Sequence, residues 1–197
     1  IGHLNISEEK KIPFNFEIIR DSIFIINSEE RIGAEIKQEG EQLVIKMPVF
    51  DSEFRFSSTE KGLFGFWYNH AKGDYKIDFK AYKNDLNSRN RFNGVSTKEN
   101  NFFEGKWETT FSPGTKDESK AIGIFNQTNQ SITGTFITET GDFRYLQGNA
   151  IGDSIYMSCF DGSHAFLFEG ALANNEITGS FFSGTHWQEP WEAKLNA

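Results

Sequence analysis

Apolar residues in this chain recur with a period of two, and that regularity decides most of what the chain can fold into. In Ser154-Ile155-Tyr156-Met157-Ser158-Cys159-Phe160, residues Ile155, Met157 and Cys159 share one face, and Tyr156, Ser158 and Phe160 share the other. A helix would repeat near 3.6 instead. The same alternation returns over residues 42–47, 164–172, 176–182 and 191–195. Between these runs stand Glu39-Gly40-Glu41, Gly141-Asp142, Gly152-Asp153, Asp161-Gly162 and Asn174-Asn175, which supply the positive-φ or side-chain-capped backbone that hairpins need. Turn signals spaced roughly every 8 to 12 residues between aromatic and β-branched runs describe a strand meander.

The meander needs a filler, and phenylalanine is the dominant large side chain, at 21 of 197 residues. A flat, rigid ring used this often suits the interior of a sandwich or barrel. The expected fold is all-β: antiparallel meander strands closing into one or two lipocalin- or streptavidin-like β-barrels, with little helix. Closure removes the edges that so many short strands would otherwise offer for aggregation. The one polar stretch with little periodicity is residues 83–101, containing Asn84-Asp85-Leu86-Asn87-Ser88-Arg89-Asn90. It divides the chain into a first β unit at 1–83, a linker or long loop at 84–104 and a second β unit at 105–197.

The two halves read as related. Gly40-Glu41-Gln42-Leu43-Val44-Ile45 followed by Phe50-Asp51 parallels Gly152-Asp153-Ser154-Ile155-Tyr156-Met157 followed by Phe160-Asp161, with the two aspartates 110 residues apart. Upstream, Ile25-Ile26-Asn27-Ser28 parallels Phe136-Ile137-Thr138-Glu139; downstream, Gly65-Phe66-Trp67-Tyr68 parallels Gly179-Ser180-Phe181-Phe182. The order is kept across four blocks, as expected for an internal duplication, and the repeat is too long for a solenoid coil.

Several function classes fall away on composition. A formal net charge of −8 argues against a phosphate-backbone binder, which needs clustered Lys and Arg, so nucleic acid is not an expected partner. One Cys forms no internal bridge and no Cys-x-x-Cys pair, and the alternation places Cys159 on a buried face as an inert thiol. No run approaches the length of a membrane helix, so no membrane span is expected here. The chain opens at Ile1 without a charged-then-apolar leader, which reads as a mature or trimmed fragment. Gly-x-Ser-x-Gly, phosphate-loop and kinase signatures do not occur. The sequons at Asn5, Asn126 and Asn129 would matter only in a eukaryotic secretory pathway.

Three constellations remain as candidate binding groups. The run Thr138-Glu139-Thr140-Gly141-Asp142-Phe143-Arg144-Tyr145 could aim Glu139, Asp142 and Arg144 into a cavity, where they would have to pair with one another or with His164. Asp161 and His164, with His186 and Glu189, are the best placed for a metal or a hydrolytic site. The alternative is that Asp161 caps a turn while each His satisfies one hydrogen bond, and no metal or cofactor is expected. The segment Ser183-Gly184-Thr185-His186-Trp187-Gln188-Glu189-Pro190-Trp191 is either a rim loop that stacks a ligand on Trp187 and Trp191 or a plug that closes the barrel end. In the ligand-carrier reading, Phe181 and Phe182 join the two Trp residues at a barrel mouth.

Three phrases carry a family resemblance: Gly134-Thr135-Phe136-Ile137-Thr138-Glu139-Thr140-Gly141-Asp142-Phe143-Arg144-Tyr145-Leu146-Gln147-Gly148, Phe160-Asp161-Gly162-Ser163-His164-Ala165-Phe166-Leu167-Phe168, and Ser183-Gly184-Thr185-His186-Trp187-Gln188-Glu189-Pro190-Trp191-Glu192-Ala193. Together they resemble the β-rich N-terminal region of TlpA-type (AhpC/TSA, redoxin) thiol-disulfide oxidoreductases of the Gram-negative envelope. The resemblance implies a periplasmic or envelope-anchored, exported setting. It also implies a parent chain that continues into a thioredoxin-fold domain, this chain's partner, and a role for these residues as a non-catalytic accessory domain that positions that domain or docks its client protein. No catalytic residue carries over, because the redox cysteines have no counterpart here. A small-ligand carrier barrel in the envelope is the alternative function.

Overall fold

Eight strands in chain order close the first unit: β1 (Gly2–Asn5), β2 (Lys11–Ile19), β3 (Ser22–Asn27), β4 (Glu30–Glu39), β5 (Gln42–Lys46), β6 (Ser52–Thr59), β7 (Gly62–Asn69) and β8 (Tyr75–Tyr82). Each pairs antiparallel with the next, and β1 pairs back onto β8 with Leu4 opposite Phe79, so no edge is left open. Helix among the described residues is limited to 3₁₀ turns such as His70–Lys72. The computed structural model describes residues 1–83, 90–94, 102–143 and 145–196. The expected linker at 84–104 therefore lies partly outside the described residues.

Alternation fills this barrel. Leu4, Phe14, Ile25, Phe54, Trp67 and Phe79 point inward and are buried. The unit comprises Ile1–Arg91 together with Phe160–Ala165, and Phe160 supplies one more interior ring. Its centroid lies 4.9 Å from Phe14, 5.2 Å from Trp67 and 5.4 Å from Phe54. Three side chains hold the backbone of this short segment. The Asn27 amide donates to the Phe160 carbonyl at 2.8 Å and accepts from the Phe160 N–H at 3.2 Å. The Ser52 hydroxyl donates to the Gly162 carbonyl, and the Asn69 amide donates to the Ser163 carbonyl at 3.2 Å. Asn27, Ser52 and Asn69 are all buried, and their polar atoms are satisfied by backbone that would otherwise lack partners.

The second unit, Phe92–Cys159 with Phe166–Ala197, repeats the plan. Its strands are β9 (Gly105–Phe111), β10 (Ser119–Thr128), β11 (Ser131–Thr138), the two-residue β12 (Gly141–Asp142), β13 (Leu146–Ile151), β14 (Ser154–Phe160), β15 (Ala165–Ala173), β16 (Glu176–Ser183) and β17 (Trp187–Leu195). Pairing runs β10-β9-β17-β16-β15-β14-β13-β11, and β11 pairs back onto β10, which closes eight strands while β12 adds to β11. The interior is a stack of rings: Phe136 lies 4.7 Å from Phe168, Phe168 lies 4.5 Å from Phe181, and Trp191 lies 5.3 Å from Phe136. The buried indole N–H groups find carbonyls, Trp107 that of Phe103 at 2.8 Å and Trp191 that of Glu169 at 3.2 Å. Cys159 is buried and takes part in no disulfide.

The duplication is visible strand by strand. Leaving out β12, the blocks paralleled in the sequence fall on the third (β3, β11), fifth (β5, β14) and seventh (β7, β16) strands of each barrel. The seventh strands share a glycine requirement. A Cβ on Gly65 would stand 2.1 Å from the Arg55 carbonyl oxygen, and one on Gly179 would stand 2.0 Å from that of Glu169. At both positions the neighbouring backbone passes too close for any side chain.

The second barrel carries apolar residues inward and charge outward. On β9, Trp107, Thr109 and Phe111 are buried while Lys106 and Glu108 are exposed; on β17, Trp191 and Ala193 are buried while Glu192 and Lys194 are exposed. A lipid-spanning barrel shows the reverse, an apolar band outside and polar residues within.

Replacing Phe160 by Ala removes an interior ring whose backbone stays clamped, so the first unit should lose about 3–5 kcal/mol of stability. Hydrogen exchange of β3, β6 and β7 measures the loss, and a change below about 1 kcal/mol would contradict the placement of Phe160 in this core.

Candidate functional site

Strand parity brings the most suggestive residues to one end of the second barrel. Trp191 and Ala193 point inward on β17, and Glu189 and Trp187, two and four residues earlier, take the same side. Trp191 pairs with Phe111, the last residue of β9, so Glu189 and Trp187 overhang that strand's end and stand at the barrel mouth. Phe166 and Ser183 pair at the same end, as do Ser183 and Trp187.

The mouth has a floor, a wall and a polar anchor. Phe143, Phe166 and Phe181 are in mutual ring contact at 5.2, 5.2 and 5.5 Å, and Phe143 and Phe166 are only partly buried. Trp187 is 49% exposed. Its indole N–H donates to Glu189 Oε1 at 3.1 Å, and the Ser112 hydroxyl donates to Glu189 Oε2 at 2.6 Å. Ser112 is itself fixed: its backbone takes the left-handed conformation at φ 48°, and its N–H donates to the Pro190 carbonyl at 2.9 Å. A half-exposed Trp whose ring is oriented by a carboxylate, at the barrel end where two phenylalanines are only partly buried, can stack a flat molecule and offer it an acceptor.

The other candidate residues are placed differently. Trp191 is a core residue of the second barrel, 1% exposed. Phe181 is buried below the mouth, and Phe182, the next residue of the strand, is buried on the opposite face of β16. Glu139 lies exposed in the turn between β11 and β12 and Asp142 is exposed on β12, while the Thr138 hydroxyl donates to the Gly141 carbonyl at 2.9 Å to close that turn. Arg144 lies outside the described residues. His186 is exposed in the turn between β16 and β17.

Asp161 and His164 belong to the first unit. Asp161 Oδ1 accepts from the N–H groups of Ser163 at 2.8 Å and His164 at 2.7 Å, and its Oδ2 lies 2.8 Å from the His164 ring nitrogen Nδ1. The carboxylate thus caps its own turn. Burial raises the Asp161 pKa, but the hydrogen bonds from the His164 ring and from the two N–H groups outweigh it and hold the carboxyl below its ordinary value. Among the described residues, no group of three or more His, Cys, Asp or Glu could hold a metal ion.

Ser112, Phe143 and Phe166 belong to the mouth but were not singled out by the sequence. The available signal was the turn Ser112-Pro113-Gly114 directly after the alternating run that ends at Phe111.

No protein-family model matches the chain, and no curated protein matches it. A crystal structure described as a "putative outer membrane protein" from Bacteroides fragilis aligns with 98% of this chain and 92% of its own, at 10% sequence identity and a TM-score of 0.26. None of these findings names a redoxin, so the expected membership of the TlpA-type group is overturned, and the accessory-domain function loses its support with it. The physical reason lies in what the three phrases encode. The first is the β11–β12 hairpin, the second a side-chain-capped turn, and the third the β16–β17 turn with the core residue Trp191. Any barrel hairpin built from Gly, Asp and aromatic residues reads this way.

A carboxylate with a depressed folded pKa contributes fully above its unfolded value of about 3.9 and loses that contribution as pH falls through the lower folded value. First-unit stability should therefore fall as the pH drops below about 4 in the wild type, and Asp161→Asn should flatten that part of the profile. Denaturation across this range measures it, and an unchanged profile in the variant would remove Asp161 from the account.

Proposed function

We propose that this chain is a ligand-binding double barrel that holds a small amphipathic molecule at the mouth of its second barrel. The observation that carries the reading is the built orientation of Trp187: half exposed, on the inward side of β17, tied to Glu189 and through it to Ser112. The packed rings of Phe136, Phe168, Phe181 and Trp191 occupy the interior below, so the ligand rests in the mouth rather than inside. Its chemistry follows from the lining. A flat or alicyclic ring stacks on Trp187 above the phenylalanine floor, and a hydroxyl or amine donates to the Glu189 carboxylate. The exported, envelope setting is a separate proposal, tested by fractionating the source cells: recovery with cytosolic markers would remove it.

A panel of ring-bearing alcohols and amines, followed by NMR and calorimetry, tests the site. Trp187→Ala should weaken binding of any hit about tenfold or more, equivalent to about 1.4 kcal/mol, while changing stability by less than about 1 kcal/mol. Trp191→Ala should instead cost the second unit about 3–5 kcal/mol. A ligand held equally well by the Trp187→Ala protein would overturn the reading.

A further inference from the structure

The first unit carries a second feature that the mouth of the other barrel does not explain. On β7 the inward positions hold Gly65, Trp67 and Asn69, and the outward positions hold Phe64, Phe66 and Tyr68, with His70 continuing the row. Phe66 is 37% exposed. The centroids of Phe66 and Tyr68 are 6.2 Å apart, as are those of Tyr68 and His70, whose rings are parallel to within 9°. Phe64 meets Tyr82 of β8 edge-on at 5.4 Å.

Barrel closure does not call for these rings. The seventh strand of the other barrel, β16, matches β7 at Gly179 and has Thr178 and Ser180 where β7 has Phe64 and Phe66. At these two positions the duplicated scaffold closes with small polar residues, while Tyr68 is matched by Phe182. Phe66 is exposed on that side, and Phe64 and Tyr68 are half-buried.

The flanking strands define what could cover the row. Cross-strand neighbours on β6 are Ser57, Arg55 and Glu53; those on β8 are Lys80, Asp78 and Lys76. Their charges are matched locally. Arg55 pairs with Glu53 at 2.5 Å and with Glu39 at 3.2 Å, Lys80 pairs with Asp78 at 2.8 Å, and the Lys76 ammonium lies 4.7 Å from the centre of the Phe66 ring. A phosphate chain needs a cluster of uncompensated cations, whereas here Arg55, Lys76 and Lys80 stand among the carboxylates of Glu39, Glu53 and Asp78. What it offers is a line of rings bordered on both sides by hydrogen-bonding groups whose charges sum to zero once Glu39, the second partner of Arg55, is counted with them. That pattern complements a ligand with apolar C–H faces and a hydroxyl rim. Residues 64 to 70 span roughly 20 Å of extended chain, longer than one sugar ring. Through Tyr82 the row runs into a cleft of about 590 Å³ lined by His3, Asn5, Asp78 and Lys80, where the Asn5 amide donates to Asp78 Oδ2 at 2.5 Å.

We propose that the outer face of β6, β7 and β8 binds a neutral polysaccharide chain, its sugar faces stacked along Phe64, Phe66 and Tyr68 and its hydroxyls bonded to the paired polar groups beside them. The site is independent of Trp187 and the second barrel.

Affinity electrophoresis tests it, with hydroxyethyl-cellulose, yeast mannan and arabinoxylan as neutral probes and heparin and a single-stranded oligonucleotide as anionic ones. The wild-type chain should be retarded by at least one neutral polysaccharide. The variant F64T/F66S, which copies the residues of the counterpart strand and so should keep the fold, should lose that affinity at least tenfold. Trp187→Ala should leave it unchanged, which separates this site from the ligand site at the mouth. Retardation by none of the neutral probes, retardation by the anionic probes alone, or retention undiminished in F64T/F66S would each overturn the proposal.

Discussion

Ring packing inside a closed strand meander is the constraint on which the rest of this structure depends. Each barrel leaves no edge because its strands return on themselves, β1 onto β8 and β11 onto β10. A closed barrel of eight strands has an interior that side chains must fill or a ligand must occupy. Here phenylalanine and tryptophan fill it: Phe14, Phe54, Trp67, Phe79 and Phe160 in the first unit, and Phe136, Phe168, Phe181 and Trp191 in the second. Filled interiors push recognition to the rims and outer faces, where Trp187 and the β7 row stand.

The strand alternation was legible because it is local. The run from Ile155 to Cys159 reads as β14 without reference to anything else, and the glycine and asparagine marks at Gly40, Gly152, Asn174 and Asn175 fall at backbone with positive φ. Depth along a barrel is not local. Trp187 and Trp191 lie in one short phrase and on one side of one strand, yet only register against Phe111 shows that the first overhangs the rim while the second is core. The position of Phe160 was equally out of reach. It depends on Asn27, which is 133 residues away in the chain. The polar turns around Glu139 and Asp161 were legible as turns, and their hydrogen bonds are those of turns. The redoxin resemblance went astray on the same material, because hairpin chemistry repeats among unrelated barrels.

Duplication supplies an internal comparison that a single barrel could not. Gly65 and Gly179 show what closure demands, since both sit where the facing carbonyl leaves no room for a Cβ. Where the two copies differ without a packing reason, the difference points to use. Phe64 and Phe66 against Thr178 and Ser180 are one such difference. The two barrels thus share a scaffold, and each carries its own surface chemistry.

Xenon pressurisation of crystals tests the central claim most directly, because the gas enters apolar space of atomic size wherever it exists. Barrels filled by their own rings should show no xenon along either axis. Xenon resolved among Phe14, Phe54 and Trp67, or among Phe136, Phe168 and Trp191, would mean that the interiors are hollow, and ligand binding would then belong inside the barrels rather than at their rims.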